Sequence, residues 1–80
     1  MIRFKIRWAD GKTEYKNYQS REKLQKVLFG NDTDLMKSQV LMIEWAEKGV
    51  QFIEDVRKEE VHRSIIGADT NPFGWRKQAL

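Results

Sequence analysis

Apolar and basic residues alternate along the first positions of the chain. The even positions hold Ile2, Phe4, Ile6 and Trp8, and the odd positions hold Arg3, Lys5 and Arg7. A period of two is typical of a strand that buries one face and leaves the other in water. Asp10-Gly11 follows, a pair favoured in tight hairpin turns because both central residues need positive φ. The pattern therefore predicts a hairpin over residues 2–18.

A two-residue Asp10-Gly11 loop would set the register of this hairpin. Across the dry face, Trp8 would lie opposite Thr13 and Ile6 opposite Tyr15. The wet face would pair Arg7 with Glu14, Lys5 with Lys16, and Arg3 with Tyr18. This register predicts that Tyr15 joins the core and that the wet face is mostly basic.

The next segment has the signals of a short helix. Ser20 is a suitable N-cap, and Glu22 in the first turn complements the helix dipole. Leu24, Val27 and Leu28 share one helical face, and Gly30 fits the residue that ends a helix. A helix this short needs to pack its apolar stripe on the sheet.

Residues 31–38 are predicted to be a connection, and the stretch after it has two interpretations. One is a second hairpin, in which Lys48-Gly49 forms the turn and pairs Trp45 with Phe52 and Leu41 with Val56. The other is a helix from Asp34 to Lys48, capped by Thr33 and ended by Gly49. That helix would be apolar on nearly all sides, and a chain of 80 residues has little with which to bury it. The pattern favours the strands.

These elements predict an α+β domain of order ββαββ, a four-stranded antiparallel sheet with one helix on one face. Residues 1–57 form this core domain, and residues 58–80 form a C-terminal extension. In it we expect a helix over Lys58–Ile66, stopped by Gly67, followed by an aromatic tail. The predicted core residues are Ile2, Phe4, Ile6, Trp8, Tyr15, Leu24, Val27, Leu28, Leu41, Ile43, Trp45, Phe52 and Val56.

Composition narrows the functional classes. The chain has no Cys, which excludes disulfides and thiolate metal sites and fits a reducing compartment. The first residues lack the unbroken apolar run of a signal peptide, and no apolar stretch approaches the ~20 residues of a membrane span. We expect a cytoplasmic protein. Eighty residues build only a small core, which disfavours a deep enzyme pocket.

The net charge of +3 is unevenly distributed. Residues 1–29 carry eight Lys/Arg against three Asp/Glu, residues 30–62 carry four against eight, and residues 63–80 carry three against one. Such asymmetry is typical of a protein with a charged partner on one face, or of an uneven solvated surface.

The sequence contains no strong pattern of catalytic or metal-binding residues. Glu59-x-x-His62 would place both side chains on one face of a helix, but a carboxylate-bridged metal site needs a second such motif and further carboxylates. Glu54, Asp55, Glu59 and Glu60 lack the spacing of a calcium loop. The five Gly are scattered rather than gathered in a phosphate-binding loop. We therefore expect no enzyme activity, no cofactor and no metal.

Two kinds of macromolecular partner fit the sequence. Arg3, Lys5, Arg7, Lys16 and Tyr18 would form a basic surface with an aromatic residue, which is typical of binding to a nucleic-acid backbone. The acidic strands of the same sheet oppose that interpretation.

A protein partner fits better. Phe73, Trp75 and Arg76 are residue types that anchor interfaces, and an open sheet edge can accept a partner strand or a second copy in a homodimer. The alternative is that Phe73 and Trp75 close the end of a small core. We expect a binding protein whose partner is a protein, with nucleic-acid binding as the alternative.

The Lys/Glu-rich strands, the Asp10-Gly11 hairpin, the short helix and the lack of Cys resemble the small ββαββ accessory proteins of bacteriophages and mobile elements. The resemblance covers residues 1–57. It implies a protein that binds a host macromolecule and inhibits or redirects it.

Overall fold

The computed structural model describes residues 1–65. In chain order the strands and helices are β1 (Ile2–Trp8), β2 (Thr13–Tyr18), α1 (Arg21–Phe29), α2 (Thr33–Gln39), β3 (Val40–Glu47), β4 (Val50–Asp55) and β5 (Glu60–Ile65). The strands form one antiparallel sheet in the order β2-β1-β3-β4-β5. The α+β class is confirmed, but this part of the chain contributes five strands and two helices instead of the expected four and one.

The first hairpin forms with a register one residue away from the prediction. Ile6 lies opposite Glu14, Lys5 opposite Tyr15 and Ile2 opposite Tyr18. The loop has three residues, Ala9 to Gly11, because the Trp8 N–H donates to the Lys12 carbonyl (2.8 Å). Gly11 takes the positive φ of +96° that such loops need at their last position. One extra loop residue moves every side chain of β2 to the opposite face.

Helix α1 begins and ends where the sequence indicates. The Lys23 backbone N–H donates to Ser20 Oγ (3.1 Å), and Gly30 ends the helix with a φ of +62°. Its buried face is rotated from the predicted stripe, since Leu24 and Phe29 are buried while Val27 is 57% exposed.

The segment predicted to be a connection contains helix α2. Asp32 caps it, accepting from the Leu35 N–H (2.9 Å), and Met36 is its buried residue. The helix stops at Gln39, where β3 begins. The interpretation of Asp34–Lys48 as one helix is therefore wrong, although its first part is helical.

The second hairpin matches its prediction. Trp45 lies opposite Phe52, and the Val56 N–H donates to the Leu41 carbonyl (3.2 Å). Lys48 and Gly49 form the turn with φ values of +49° and +79°. Both angles are positive, as the mirror-image turns of tight hairpins require.

The predicted helix over Lys58–Ile66 is wrong within the described residues, because Glu60–Ile65 is strand β5. It pairs with β4, with Val61 opposite Glu54 and Ile65 opposite Val50. Val61 and Ile65 are four positions apart, a spacing that puts two residues on one face of a helix and also on one face of a strand. β-Branched Val61 and Ile65 and the open edge of β4 favour the strand.

The turn between β4 and β5 is anchored on α2. Arg57 Nε and Nη2 donate to the carbonyls of Lys37 and Ser38 (3.0 and 3.2 Å), near the end of that helix. Lys37 Nζ lies 2.6 Å from Glu59 Oε2. The hydrogen bond and charge of each partner raise the pKa of Lys37 and lower the pKa of Glu59.

Both helices pack on the same face of the sheet, which we call the helix-covered face. Its core consists of Phe4, Ile6, Leu24, Phe29, Met36, Val40, Ile43, Trp45 and Val56. Of the predicted core residues, Ile2, Trp8, Leu28 and Phe52 are partly buried against this cluster. Leu41 is also half-buried. Tyr15, predicted to be buried, is 55% exposed because the register turns it to the other face.

Candidate functional site

The face of the sheet opposite the helices is a candidate binding surface, which we call the open face. Its side chains come from alternate positions of all five strands, and strand pairing aligns them in rows. One row runs Thr13, Arg7, Met42, Asp55, Glu60; the next runs Tyr15, Lys5, Glu44, Ile53, His62. Each row passes from β2 to β5, so one surface collects residues from both ends of the described chain.

Charge is separated across the open face. Arg3, Lys5 and Arg7 line β1, while Glu44, Asp55 and Glu60 lie on β3, β4 and β5. Half-buried Met42 lies between Arg7 and Asp55, whereas Glu44 lies directly beside Lys5, with half-buried Ile53 beyond it. Successive side chains on one face of a strand are about 6.6 Å apart, so the three cations form a short basic row.

An aromatic residue supports the basic row. The guanidinium carbon of Arg3 lies 4.5 Å from the ring centroid of Tyr15 on the neighbouring strand. A cation over an exposed ring gains about 0.5–1 kcal/mol, enough to favour one orientation of the Arg3 side chain. Among residues 1–65, no carboxylate lies within ion-pair distance of Arg3, Lys5 or Arg7.

The structure brings together three of the five residues predicted to contact nucleic acid. Arg3, Lys5 and Arg7 share the open face, but Lys16 and Tyr18 lie on the helix-covered face, opposite Phe4 and Ile2. The Tyr18 ring packs against Phe4, with centroids 6.1 Å apart. Tyr15 takes the place expected for Tyr18. The predicted partner-binding residues Phe73, Trp75 and Arg76 lie outside the described residues.

The polar groups considered for catalysis are dispersed. His62 lies on strand β5 with 70% of its side chain exposed, 3.9 Å from Glu60, and Glu59 belongs to the preceding turn. The helical geometry expected for Glu59-x-x-His62 is therefore absent. Within residues 1–65, no three His, Asp or Glu side chains are placed to share a metal ion. Neither helix of this region has the length and apolar character needed to cross a membrane.

A groove lies on the helix-covered face, between α1 and the strands β3 to β5. Its volume is about 590 Å³. Trp45 and Phe52 are stacked there, with ring centroids 5.2 Å apart and planes 13° from parallel. Arg21 and Glu54 form its inner wall through two hydrogen bonds of 2.6 and 2.8 Å. Sequence patterns could not reveal this groove, because it depends on which strands the helices leave uncovered.

No protein-family model matches this chain, and neither a curated protein nor a solved structure matches it.

Proposed function

We propose that this chain is a non-enzymatic binding protein and that its open face docks on another protein. The arrangement of basic side chains on β1 and acidic side chains on β3, β4 and β5 carries the proposal, on a sheet face that neither helix of residues 1–65 covers. Interfaces commonly match charges of opposite sign, which raises the association rate and excludes wrong partners. The partner would present acidic groups to Arg3, Lys5 and Arg7 and basic groups to the acidic strands.

The centre of the open face favours a protein over a nucleic acid. Met42 offers apolar area between Arg7 and Asp55, and Ile53 offers more beside Glu44. Methionine is enriched in the buried centre of protein interfaces. A phosphate backbone that crossed the sheet from β1 to β5 would meet Asp55 and Glu60, which repel it. The resemblance to accessory proteins of phages and mobile elements supports a host protein that is inhibited or redirected in the cytoplasm.

Charge reversal at each end of the face tests the proposal. The wild-type chain and the variants Arg7→Glu and Glu60→Lys are used to capture partners from a nuclease-treated native lysate. Both side chains are exposed, so the variants should fold. A protein that docks here should lose tenfold or more in affinity with each variant, about 1.4 kcal/mol.

Lys23→Glu is the matched control, since it makes the same change in charge at an exposed position of α1. Partner binding should survive it. A partner that binds all three variants like wild type would place the interface away from the open face and reject the proposal. The tail residues Phe73, Trp75 and Arg76 are the alternative contact with a partner. Loss of the partner in Trp75→Ala with unchanged stability would favour the tail over the open face.

Nucleic-acid binding is the second candidate, and the unpaired basic row beside Tyr15 favours it. Substituting Gln for Arg3, Lys5 and Arg7 should weaken binding to single-stranded RNA. The slope of log affinity against log salt should flatten by about 0.7 for each lost phosphate contact. Lys16→Gln is the control on the opposite face, and it should change neither the affinity nor the slope. Absence of RNA or DNA binding at low salt would exclude this candidate.

A further inference from the structure

The helices leave part of their own side of the sheet uncovered. On β5, Val61 and Ile65 point to the helix-covered face, yet they are 46% and 71% exposed. Phe52 on β4 is only half-buried, although it stacks on Trp45. Trp45, Phe52 and Val61 form an apolar strip along the groove, and Arg63, which lies opposite Phe52 on the same face, separates this strip from Ile65.

This strip and its groove are large enough for bulky side chains. A volume of about 590 Å³ falls within the range of pockets that enclose organic ligands. The half-buried ring of Phe52 would gain from a further aromatic ring, since aromatic pairs contribute about 0.5–1.5 kcal/mol beyond area burial.

The chain itself carries a matching segment. Residues 66–80 follow β5 directly and contain two aromatic residues, Phe73 and Trp75. From Ile65 the groove lies back along β5, about 13 Å away at the level of Val61. The ten residues to Trp75 can extend about 33 Å, more than enough for a reversal of direction. Gly67 and Asn71-Pro72 supply the residue types that reverse a chain.

The charged residues around the groove are mixed, with three carboxylates against two cations. Arg21 and Glu54 form an ion pair, Arg63 also lines the groove, and Glu22 and Glu47 form no ion pair within residues 1–65. Glu47 accepts a hydrogen bond from the Trp45 indole (2.9 Å), which places its carboxylate at the edge of the apolar strip. Arg76 and Lys77 come directly after Trp75, where they would meet these carboxylates.

We propose that Phe73 and Trp75 occupy this groove in their own chain, against Trp45, Phe52 and Val61. Attachment through β5 gives the segment an effective concentration in the millimolar range, so a modest contact suffices to keep it bound. The segment then completes the core, and the open face is left as the surface for partners. This inference is independent of the proposed function.

A spin label on α1 tests the proposal in the full chain. The chain has no Cys, so Lys26→Cys introduces a single attachment point, one turn along α1 from Glu22 and far in sequence from the tail. Asn17→Cys is the matched control on the open face, exposed like Lys26. The label at 26 should broaden the amide signals of residues 73–77, and the label at 17 should leave them sharp.

The same measurement identifies other occupants. In this experiment, protein that carries the spin label but no ¹⁵N is mixed with ¹⁵N-enriched protein that carries no spin label. Broadening that appears only in this mixture would show that a second copy fills the groove and would reject the proposal. Sharp tail signals with the label at 26 would also reject it, because the segment would then lie away from the groove.

A stability comparison supplies an independent readout. Trp75→Ala should lower the thermal midpoint by roughly 5 °C or more and shift the Trp45 indole N–H signal, while Gln78→Ala should change neither. If Trp75→Ala does not fold, Trp75→Phe should show a smaller shift of the same signal. An unchanged midpoint and indole signal in Trp75→Ala would overturn the assignment.

Discussion

Glu54 is the one carboxylate on β4 that faces the helices. A single partner explains why a charged residue is tolerated at this position. Among the apolar residues of that face it looks misplaced in the sequence. Arg21, in the first turn of α1, holds it in a two-point contact, and the side chains of the pair are only 18% and 13% exposed. A planar guanidinium matches a carboxylate in this geometry better than an ammonium does. The pair fixes the start of α1 above β4.

We expect removal of either partner to destabilise the protein. Arg21→Met or Glu54→Gln should each cost about 1–3 kcal/mol, because the remaining group stays partly buried without its partner. The double variant should cost clearly less than the two single losses together. Urea denaturation of the four proteins measures this coupling. Strict additivity would show that the pair contributes no specific stabilisation.

Gly11 closes the loop of the first hairpin in a backbone conformation that other residues rarely adopt. Its φ of +96° closes the three-residue loop, and space around it is open, so only the backbone conformation excludes other residues. Gly11→Ala should cost about 1 kcal/mol through this strain. Gly11→Asn, which tolerates positive φ better, should recover part of the loss in a chemical denaturation experiment. An alanine variant as stable as wild type would show that residue 11 does not hold this positive φ in solution.

The sequence could not choose between the two registers of this hairpin. Asp10-Gly11 fits a two-residue loop, and Gly11 also fits the last position of a three-residue loop. Either register buries one tyrosine and exposes the other, so the apolar pattern of β2 is satisfied both ways. Packing of Tyr18 against Phe4 selects the observed register. The residues next to Tyr18 in the sequence do not predict that contact. Because the predicted register was wrong by one residue, the prediction placed Tyr18 on the open face, where the structure has Tyr15.

At the level of elements, α2 and β3 come from one apolar segment whose sequence fits both a helix and a strand. The apolar residues from Leu35 to Ala46 fit a helix and a strand, and the chain uses both, changing at Val40. Asp32, rather than Thr33, caps the helix, and the buried Val40 begins the strand. Sequence reasoning identified the strand from its pairing with β4 but treated the preceding turns as a connection.

The contact between α2 and the β4–β5 turn should be visible as a shifted titration. Lys37 lowers the pKa of Glu59 from its ordinary value of 4.5, and Glu59 raises that of Lys37 from 10.5. The Glu59 contribution to stability is thus present above its unfolded pKa and fades as pH falls through the lower folded value. The Lys37 contribution is complete below its unfolded pKa and fades as pH rises through the higher folded value.

An NMR titration of the Glu59 carboxyl measures this effect. In Lys37→Gln the pKa of Glu59 should return toward 4.5, while Lys23→Gln should leave it unchanged. Both groups are exposed, so the change in overall stability should be small. Equal pKa values in Lys37→Gln and wild type would show that the ion pair does not form in solution.

At the scale of the whole molecule, the sheet formed by residues 1–65 has two edge strands, β2 and β5. Edge strands present unpaired backbone groups that can extend into a partner strand or a second copy. All six residues of β5 are exposed, so this edge is the stronger site for the predicted homodimer. Sedimentation should then report a dimer in wild type and a monomer in Ser64→Pro. A wild-type monomer at high concentration would exclude that association.

The pairing of β1 with β3 has a consequence for the rate of folding. Lys5 and Glu44, which pair across β1 and β3, lie 39 positions apart, whereas the other three strand pairings within residues 1–65 are hairpins. Hairpins close within microseconds, but a distant pairing must first overcome the entropy of closing a long loop. Pairing of β1 with β3 should therefore be the rate-limiting step of folding. Stopped-flow measurements should show slower refolding for Ile43→Ala at this seam, and mainly faster unfolding for Val61→Ala at the edge.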